Sequence, residues 1–246
     1  MNISVLQWNV WYKEDIDSIV EFLRNHPADI ITLQEMPISH ESFKIKGSPG
    51  YIAKQLGYNY FHKDMPIEDP DGKTRTLANG ILSKFPIINS RFAWIKESKG
   101  AGGYDDEFRA YVEISLNIEG KEITVGTTHM SYTHKFEPTE SKIAETDMLL
   151  KEINKHLQNY IFTGDLNATP ESYTISALSK IMQNAGPSMN QKTWTTKPFS
   201  YNGFVASTLN WRLDYIFATK DIKVVSSEIL KTKYSDHLPI RAQFEI

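Results

Sequence analysis

Six short apolar runs of this 246-residue chain end on, or begin beside, a polar side chain able to do chemistry. Residues 3–8 lead into Asn9, 29–34 into Glu35, and 122–128 into His129. Residues 160–163 lead through Gly164 into Asp165 and Asn167. Asp214 opens a run in RLDYIF, and Asp236-His237 precede the last one in SDHLP. In α/β folds such strand ends gather ligands at one edge of the sheet. Convergence would bring together four carboxylates, Glu35, Asp165, Asp214 and Asp236, and like charges in one cleft repel and raise one another's pKa. A cation relieves this. The chain has no Cys, so the donors are oxygens with a few imidazoles, a set suited to Mg²⁺ or Mn²⁺. A metal that neutralises phosphate charge, beside a His that acts on water, is the equipment of phosphoester hydrolysis.

Taken singly, each residue has an ordinary explanation. Asn9 reads as a turn residue after a strand, Glu35 as a solvated loop acid, and His129 as a satisfied sheet-end imidazole. GDLNA reads as a turn, and Asp214 as a partner for Arg212. The acid–His pair entering the buried last strand is the least ordinary. The ordered combination is what points to a site.

The strings WNV, LQE, THMS, GDLNA, RLDYIF and SDHLP, in that order, resemble the endonuclease/exonuclease/phosphatase family from residue 7 to the C-terminus. GDLN and SDHLP are the most specific. The resemblance implies one domain over residues 1–246, of α/β class: a four-layer α/β/β/α sandwich, two central mixed sheets flanked by helices. It implies a Mg²⁺-dependent hydrolase, with Mn²⁺ as alternative, acting on phosphoester bonds. A nuclease or DNA-end-processing phosphodiesterase comes first. A sphingomyelinase-like lipid or inositol phosphate phosphoesterase comes second, and a catalytically silent binding module is the rival of another class. Carried over by position, Glu35 is the main metal ligand, with Asn9 near it and Asp236 close by or water-linked. Asp165 orients the attacking water, and Asn167 holds it or the phosphate. His237 acts on water or phosphate with Asp214 holding its ring, His129 donates to a phosphate oxygen, and Arg109 in FRAYVEI binds phosphate. The chain departs from apurinic-site nucleases of the family, with Trp11 two positions after the Asn and no counterpart of their active-site Tyr. It departs from pancreatic-type deoxyribonucleases in placing Asn79 where they pair the first His with a Glu. It also lacks the dense Lys/Arg cluster of inositol phosphatases.

The elements that must position these residues are legible in part. Ile16, Ile19, Val20 and Leu23 follow helical spacing before Pro27, so residues 3–34 read as strand, helix, strand. Residues 110–118 and 122–128 alternate about a Glu119-Gly120 turn and predict a hairpin. Residues 80–82 read as a short strand, and 62–76 and 96–107 as long loops. A helix is expected over 141–157, with Pro138 and Thr139 at its start and Ile143, Leu149, Leu150, Ile153 and Leu157 apolar. A second is expected to open at Thr169-Pro170. Residues 214–218, 222–229 and 240–244 complete a strand-rich end.

Composition bounds the rest. The net charge is −3, with 40% apolar and 23% charged residues, an ordinary globular profile that argues against collagen, coiled coil and disorder. No apolar run spans a membrane. The N-terminus has neither the basic nor the apolar region of a signal peptide, which favours a cytoplasmic monomer. The expected partner is a phosphoester substrate, nucleic acid among the candidates. Rings near the motifs, among them Trp11, Tyr104, Tyr132, Phe136, Trp194 and Phe199, either stack on bases or pack loops onto the sheet. Lys96, Lys99, Lys135 and Lys197 in the same loops either track phosphates or solvate the surface.

Overall fold

The computed structural model describes residues 1–68, 73–99, 106–156 and 158–246. β1 (Asn2–Asn9), α1 (Ile16–Asn25) and β2 (Ile30–Ser39) form the expected strand–helix–strand unit, with β1 and β2 parallel from Val5↔Ile30 to Asn9↔Gln34. The Asp15 carboxylate caps α1 by accepting from the Ser18 amide. α2 (Ser48–Leu56) follows, then β3 (Asn59–Glu68) and β4 (Thr74–Ser83). Here the structure corrects the sequence reading. Most of 62–76, expected as loop, is strand, paired from Asn59↔Ser83 to Glu68↔Thr74. β3 is an edge strand, half solvated and carrying Pro66, so its alternation has little contrast. β5 (Ile87–Lys96), an edge of the second sheet, is mostly exposed or half-buried and carries no pattern either.

β6 (Arg109–Ile118) and β7 (Lys121–His129) are the expected hairpin. Of the second expected loop, residues 100–105 lie outside the described residues, Tyr104 among them. α3 (Glu140–Ile153) is capped by the Thr139 hydroxyl as expected, and Leu157 lies outside the described residues. β8 (Tyr160–Asp165) precedes α4 (Tyr173–Ile181). The Thr169-Pro170 expectation is off by three residues. Those residues form a turn closed by the Ser172 amide on the Thr169 carbonyl, and Ser172 caps the helix by accepting from Ile175. β9 (Gln183–Asn184), the small hairpin of β10 (Phe199–Tyr201) and β11 (Phe204–Ala206), β12 (Asp214–Ala218), β13 (Lys223–Ile229) and β14 (Ile240–Glu245) complete the chain.

Two mixed six-stranded sheets result, in the orders β13-β14-β1-β2-β4-β3 and β5-β6-β7-β8-β12-β9. Ile3, Val5, Ile30, Val125, Ile161 and Ile216 share the core between the sheets. Leu6, Trp8 and Leu33 pack under α1 and α2 on one outer face. Tyr160, Phe162 and Phe217 pack under α3 and α4 on the other. The layers are therefore α/β/β/α. Among the described residues, no helix is long and apolar enough to cross a membrane.

Candidate active site

The strand period of two decides which side chains enter the site. On β1, Ile3 and Val5 face the other sheet, so Gln7 and Asn9 do as well. On β8, Ile161 sets the phase for Thr163 and Asp165. On β12, Ile216 sets it for Asp214, and on β7, Val125 sets it for Thr127 and His129. Glu35 breaks the rule. Leu33 packs under the helices, so strict alternation would turn Glu35 the same way. A bulge between Leu33 and Met36 and a left-handed Glu35 (φ 56°) shift the phase by one residue. Met36 then takes the helix side, and Glu35 turns into the cleft.

Asn9 sits at the centre. Its amide NH₂ donates to Glu35 Oε1 at 3.1 Å and to Asp165 Oδ2 at 3.0 Å, while its oxygen accepts from the Trp11 amide at 3.0 Å. Asn9 therefore offers the acids a donor and links them. Asp165 accepts from the Asn167 amide at 3.0 Å. His237 lies between two acids, Nδ1 at 2.9 Å from Asp214 Oδ2 and Nε2 at 3.5 Å from Asp165 Oδ2. Burial alone would lower this ring's pKa, but the carboxylates of Asp214, Asp165 and Asp236 outweigh it and hold His237 well above its usual range. Asp165, Asp214 and His237 meet the spacing of a metal triad. Both ring nitrogens, however, already face carboxylates, one hydrogen-bonded and one in ion-pair contact, so the triad is an acid–imidazolium–acid chain.

His129 is the opposite case. Burial, then the charges of Arg109, His237 and Lys142, push its pKa well below the usual range. Its Nδ1 faces Arg109 Nη1 at 3.4 Å, and a guanidinium only donates. Its Nε2 lies 3.5 Å from Asp165 Oδ2 and 3.2 Å from Asn167 Nδ2, an NH₂ that also only donates, so donors face both ring nitrogens. Asn79, paired with Met65 and the Ala110 carbonyl, gives the ring no acid. Arg109 is buried and ion-paired with Glu107, so its reach toward the cleft is mostly spent.

Glu35 and Asp236 are the carboxylates whose chemistry suits a divalent ion. Burial and then Asp236 raise Glu35 to about 7. Asp236 Oδ2 accepts from the Trp194 indole at 3.0 Å, whereas its Oδ1 is buried with no partner. An unpartnered carboxylate oxygen beside an acid with raised pKa is compatible with a cation held by oxygens. Burial likewise lifts Asp165 to about 6.

All nine expected site residues are thus in one neighbourhood. The cleft, ≈ 300 Å³, is lined by Glu35, Arg109, His129, Asp165, Asn167, Asp236 and His237. Beneath it, Asp214 is fully buried. Arg212 does not pair with its carboxylate. It donates to its backbone oxygen at 2.6 Å.

Other contributors escape the sequence reading. Gln7 donates to Gln34 at 2.7 Å and Asp214 at 3.2 Å, and Gln34 donates to Thr127 at 3.0 Å. Thr163 bonds Thr32 and Thr127 at 2.8 and 3.0 Å. Together they form a polar floor between the sheets. The signal available was a polar residue in phase with the buried Ile and Val of its own strand. Trp8 donates its indole N–H to the His237 carbonyl at 2.9 Å. Lys142 and Glu145 are buried where Ile143, expected inside, is 38% exposed. Several loop rings pack on one another: Tyr132, Phe136, Trp194, Phe199, Phe204 and Trp211 form one cluster. Lys197 pairs with Glu14 and covers Trp11 at 4.8 Å, and Lys96 donates to Ser131 at 3.2 Å.

A family model described as Endonuclease/Exonuclease/phosphatase family matches residues 6–237. Among curated proteins, none matches the sequence significantly. The solved endonuclease/exonuclease/phosphatase of Beutenbergia cavernae DSM 12333 is 18% identical with a TM-score of 0.75, over 100% of this chain and 72% of that one. The mannosyl-6-phosphatase of Bacteroides thetaiotaomicron VPI-5482 is 17% identical with a TM-score of 0.71, over 99% and 100%. D. rerio TDP2, complexed with a single-strand DNA product, is 17% identical with a TM-score of 0.72, over 100% and 99%. At these identities the likeness is one of fold.

Proposed function

The chain belongs to the endonuclease/exonuclease/phosphatase family, phosphoester hydrolases, and from that premise we propose that it is a divalent-metal-dependent phosphodiesterase acting on nucleic acid, as a nuclease or DNA-end-processing enzyme. The observation that carries the hydrolytic part is the acid–imidazolium–acid chain beside a buried, unpartnered Asp236 oxygen. Glu35 and Asp236 are the residues to hold Mg²⁺ or Mn²⁺, and Asn9 ties that seat to Asp165. When bound, the metal supplies a positive centre for a phosphate oxygen and for the leaving oxygen.

The remaining work falls to this chain's own side chains. Asp165, with its pKa near 6, orients water for in-line attack and takes its proton, and Asn167 helps fix the water or the phosphate. His237, held cationic by Asp214, faces the developing negative charge on phosphorus. His129, a neutral ring, donates to a phosphate oxygen, and Arg109 contributes positive charge beside it. Trp11, Tyr12, Phe108, Tyr132 and Phe199 flank the acids, with Lys13 and Arg75 at the rim. Flat rings beside a phosphate seat, with cations at the edge, favour bases over a bare sugar phosphate.

Asp165→Ala and His237→Ala are each expected to lose at least about 10²–10³ of turnover on an activated phosphodiester while staying folded. EDTA should abolish activity, and Mg²⁺ or Mn²⁺ should restore it. Near wild-type turnover in either variant retires the assignment. Parallel assays on plasmid DNA, a 5′-tyrosyl oligonucleotide, sphingomyelin, an inositol polyphosphate and mannose 6-phosphate decide the substrate. Turnover confined to the last three overturns the nucleic-acid reading.

A further inference from the structure

Behind the cleft, on the inner face of α3, Lys142 is 6% exposed and Glu145 is 2% exposed. An ammonium is costly to bury, and an apolar side chain of similar length would pack on this helix face without that cost. What the ammonium touches gives its purpose. Its Nζ donates to the carbonyls of Ser131 and Leu166, both at 2.7 Å. Glu145 Oε1 accepts from the Ser131 amide at 2.9 Å. One helix face therefore holds both backbone groups of Ser131, two residues beyond His129. The same face holds the carbonyl between Asp165 and Asn167.

The β7–β8 ladder does not do this job. Its register ends at His129↔Asp165, with one further bond from the Met130 amide to the Asp165 carbonyl at 2.9 Å. Beyond that point the two site loops are joined by Lys142 and by Asn167 Nδ2 donating to the Met130 carbonyl at 3.0 Å. Lys142 and Asn167 also line a shared cavity of ≈ 20 Å³. Burial brings Lys142 down to about 8 while Glu145 and Asp165 hold it up, so it is mainly cationic at neutral pH.

We propose that Lys142 is a positioning residue for phosphoester hydrolysis, which grips the loops after β7 and β8 together and so sets the reach between His129 and the Asp165–Asn167 pair. The proposal rests on the hydrolytic reading above, and its test separates the two. With bis(p-nitrophenyl) phosphate and Mn²⁺, Lys142→Ala is expected to lower kcat about 10²-fold, the scale of a 1 Å misplacement, with KM within about threefold of wild type. Truncation enlarges the cavity beside Asn167, so added ethylammonium should restore kcat at least about tenfold in Lys142→Ala and leave wild type unchanged. A kcat within about threefold of wild type, or no restoration by ethylammonium, overturns the proposal.

Amide exchange reads the grip without turnover. In Lys142→Met, whose apolar chain of similar length fits the helix face, the Met130 N–H that bonds the Asp165 carbonyl should exchange faster than in the unsubstituted protein, and equal exchange overturns the proposal. If wild type hydrolyses no phosphoester yet Lys142→Met still speeds Met130 exchange, the hydrolytic reading fails while the grip stands.

Discussion

At the residue scale, the two histidines show how neighbours divide one chemistry into two roles. His237 lies between carboxylates and keeps its proton. His129 lies against a guanidinium and stays neutral. Glu35, lifted to about 7, would make the proposed metal seat pH-sensitive. Below that pH a divalent ion must displace a proton, so the apparent Mn²⁺ affinity measured by calorimetry should fall as pH drops from about 7, up to roughly tenfold per unit for each proton displaced. A flat profile would remove Glu35 from the seat. Stability of the metal-free protein carries the same information. The unfolded Glu35 ionises near 4.5 and the folded one near 7, so between those values the folded state holds a proton the unfolded state has released. The cost of Glu35 therefore grows as pH rises through that window. Glu35→Gln, neutral throughout, should melt above wild type at pH 8 without metal, and the gap should close toward pH 5. The site acids and imidazoles were legible because each sits in a short string with chemical contrast. Lys142 was not, since a Lys among charged neighbours on a helix reads as solvated until the packing face is known.

At the element scale, the site depends on where strands stop and how closely they run. Gly164 is the clearest case: a Cβ there would lie 2.4 Å from the Thr128 carbonyl oxygen, and a backbone atom cannot step aside as a side chain can. Gly164→Ala is expected to cost about 1–3 kcal/mol in urea unfolding and to push apart the ends that carry His129 and Asp165, lowering turnover as well. An unchanged midpoint would show that the parallel pair has slack. The central strands and α1 were readable because burial on one or both faces imposes strong periodicity. β3 and β5 were not, because an edge strand has half its surface in water and tolerates any polar residue. The Glu35 bulge was invisible for a related reason: the identities of Gln34 and Glu35 do not reveal that Leu33 and Met36 point the same way.

At the scale of the whole molecule, the two sheets meet through an apolar layer that turns polar beneath the cleft, where Thr163 bonds Thr32, Gln34 bonds Thr127 and Gln7 bonds Asp214 across the gap. The proposed metal ligand Glu35 and the proposed water-orienting acid Asp165 thus stand on different sheets, and their geometry survives only while the sheets stay docked. Unfolding should therefore be one cooperative event. Far-UV and near-UV circular dichroism should give coincident denaturant transitions, and loss of turnover should track them. A sheet that melts early would show as separate midpoints. The layer order followed from the resemblance, whereas the polar floor needed the register between sheets, which no local pattern carries.

Two indoles have a consequence for how this molecule can be watched. Trp8 donates to the His237 carbonyl and Trp194 to the Asp236 carboxylate, while Trp11 lines the cleft itself. The acid–His pair is thereby wired to intrinsic fluorophores. Filling the cation seat or seating a ligand should shift the emission of the unlabelled protein, giving an optical gauge of occupancy that needs no dye and no turnover.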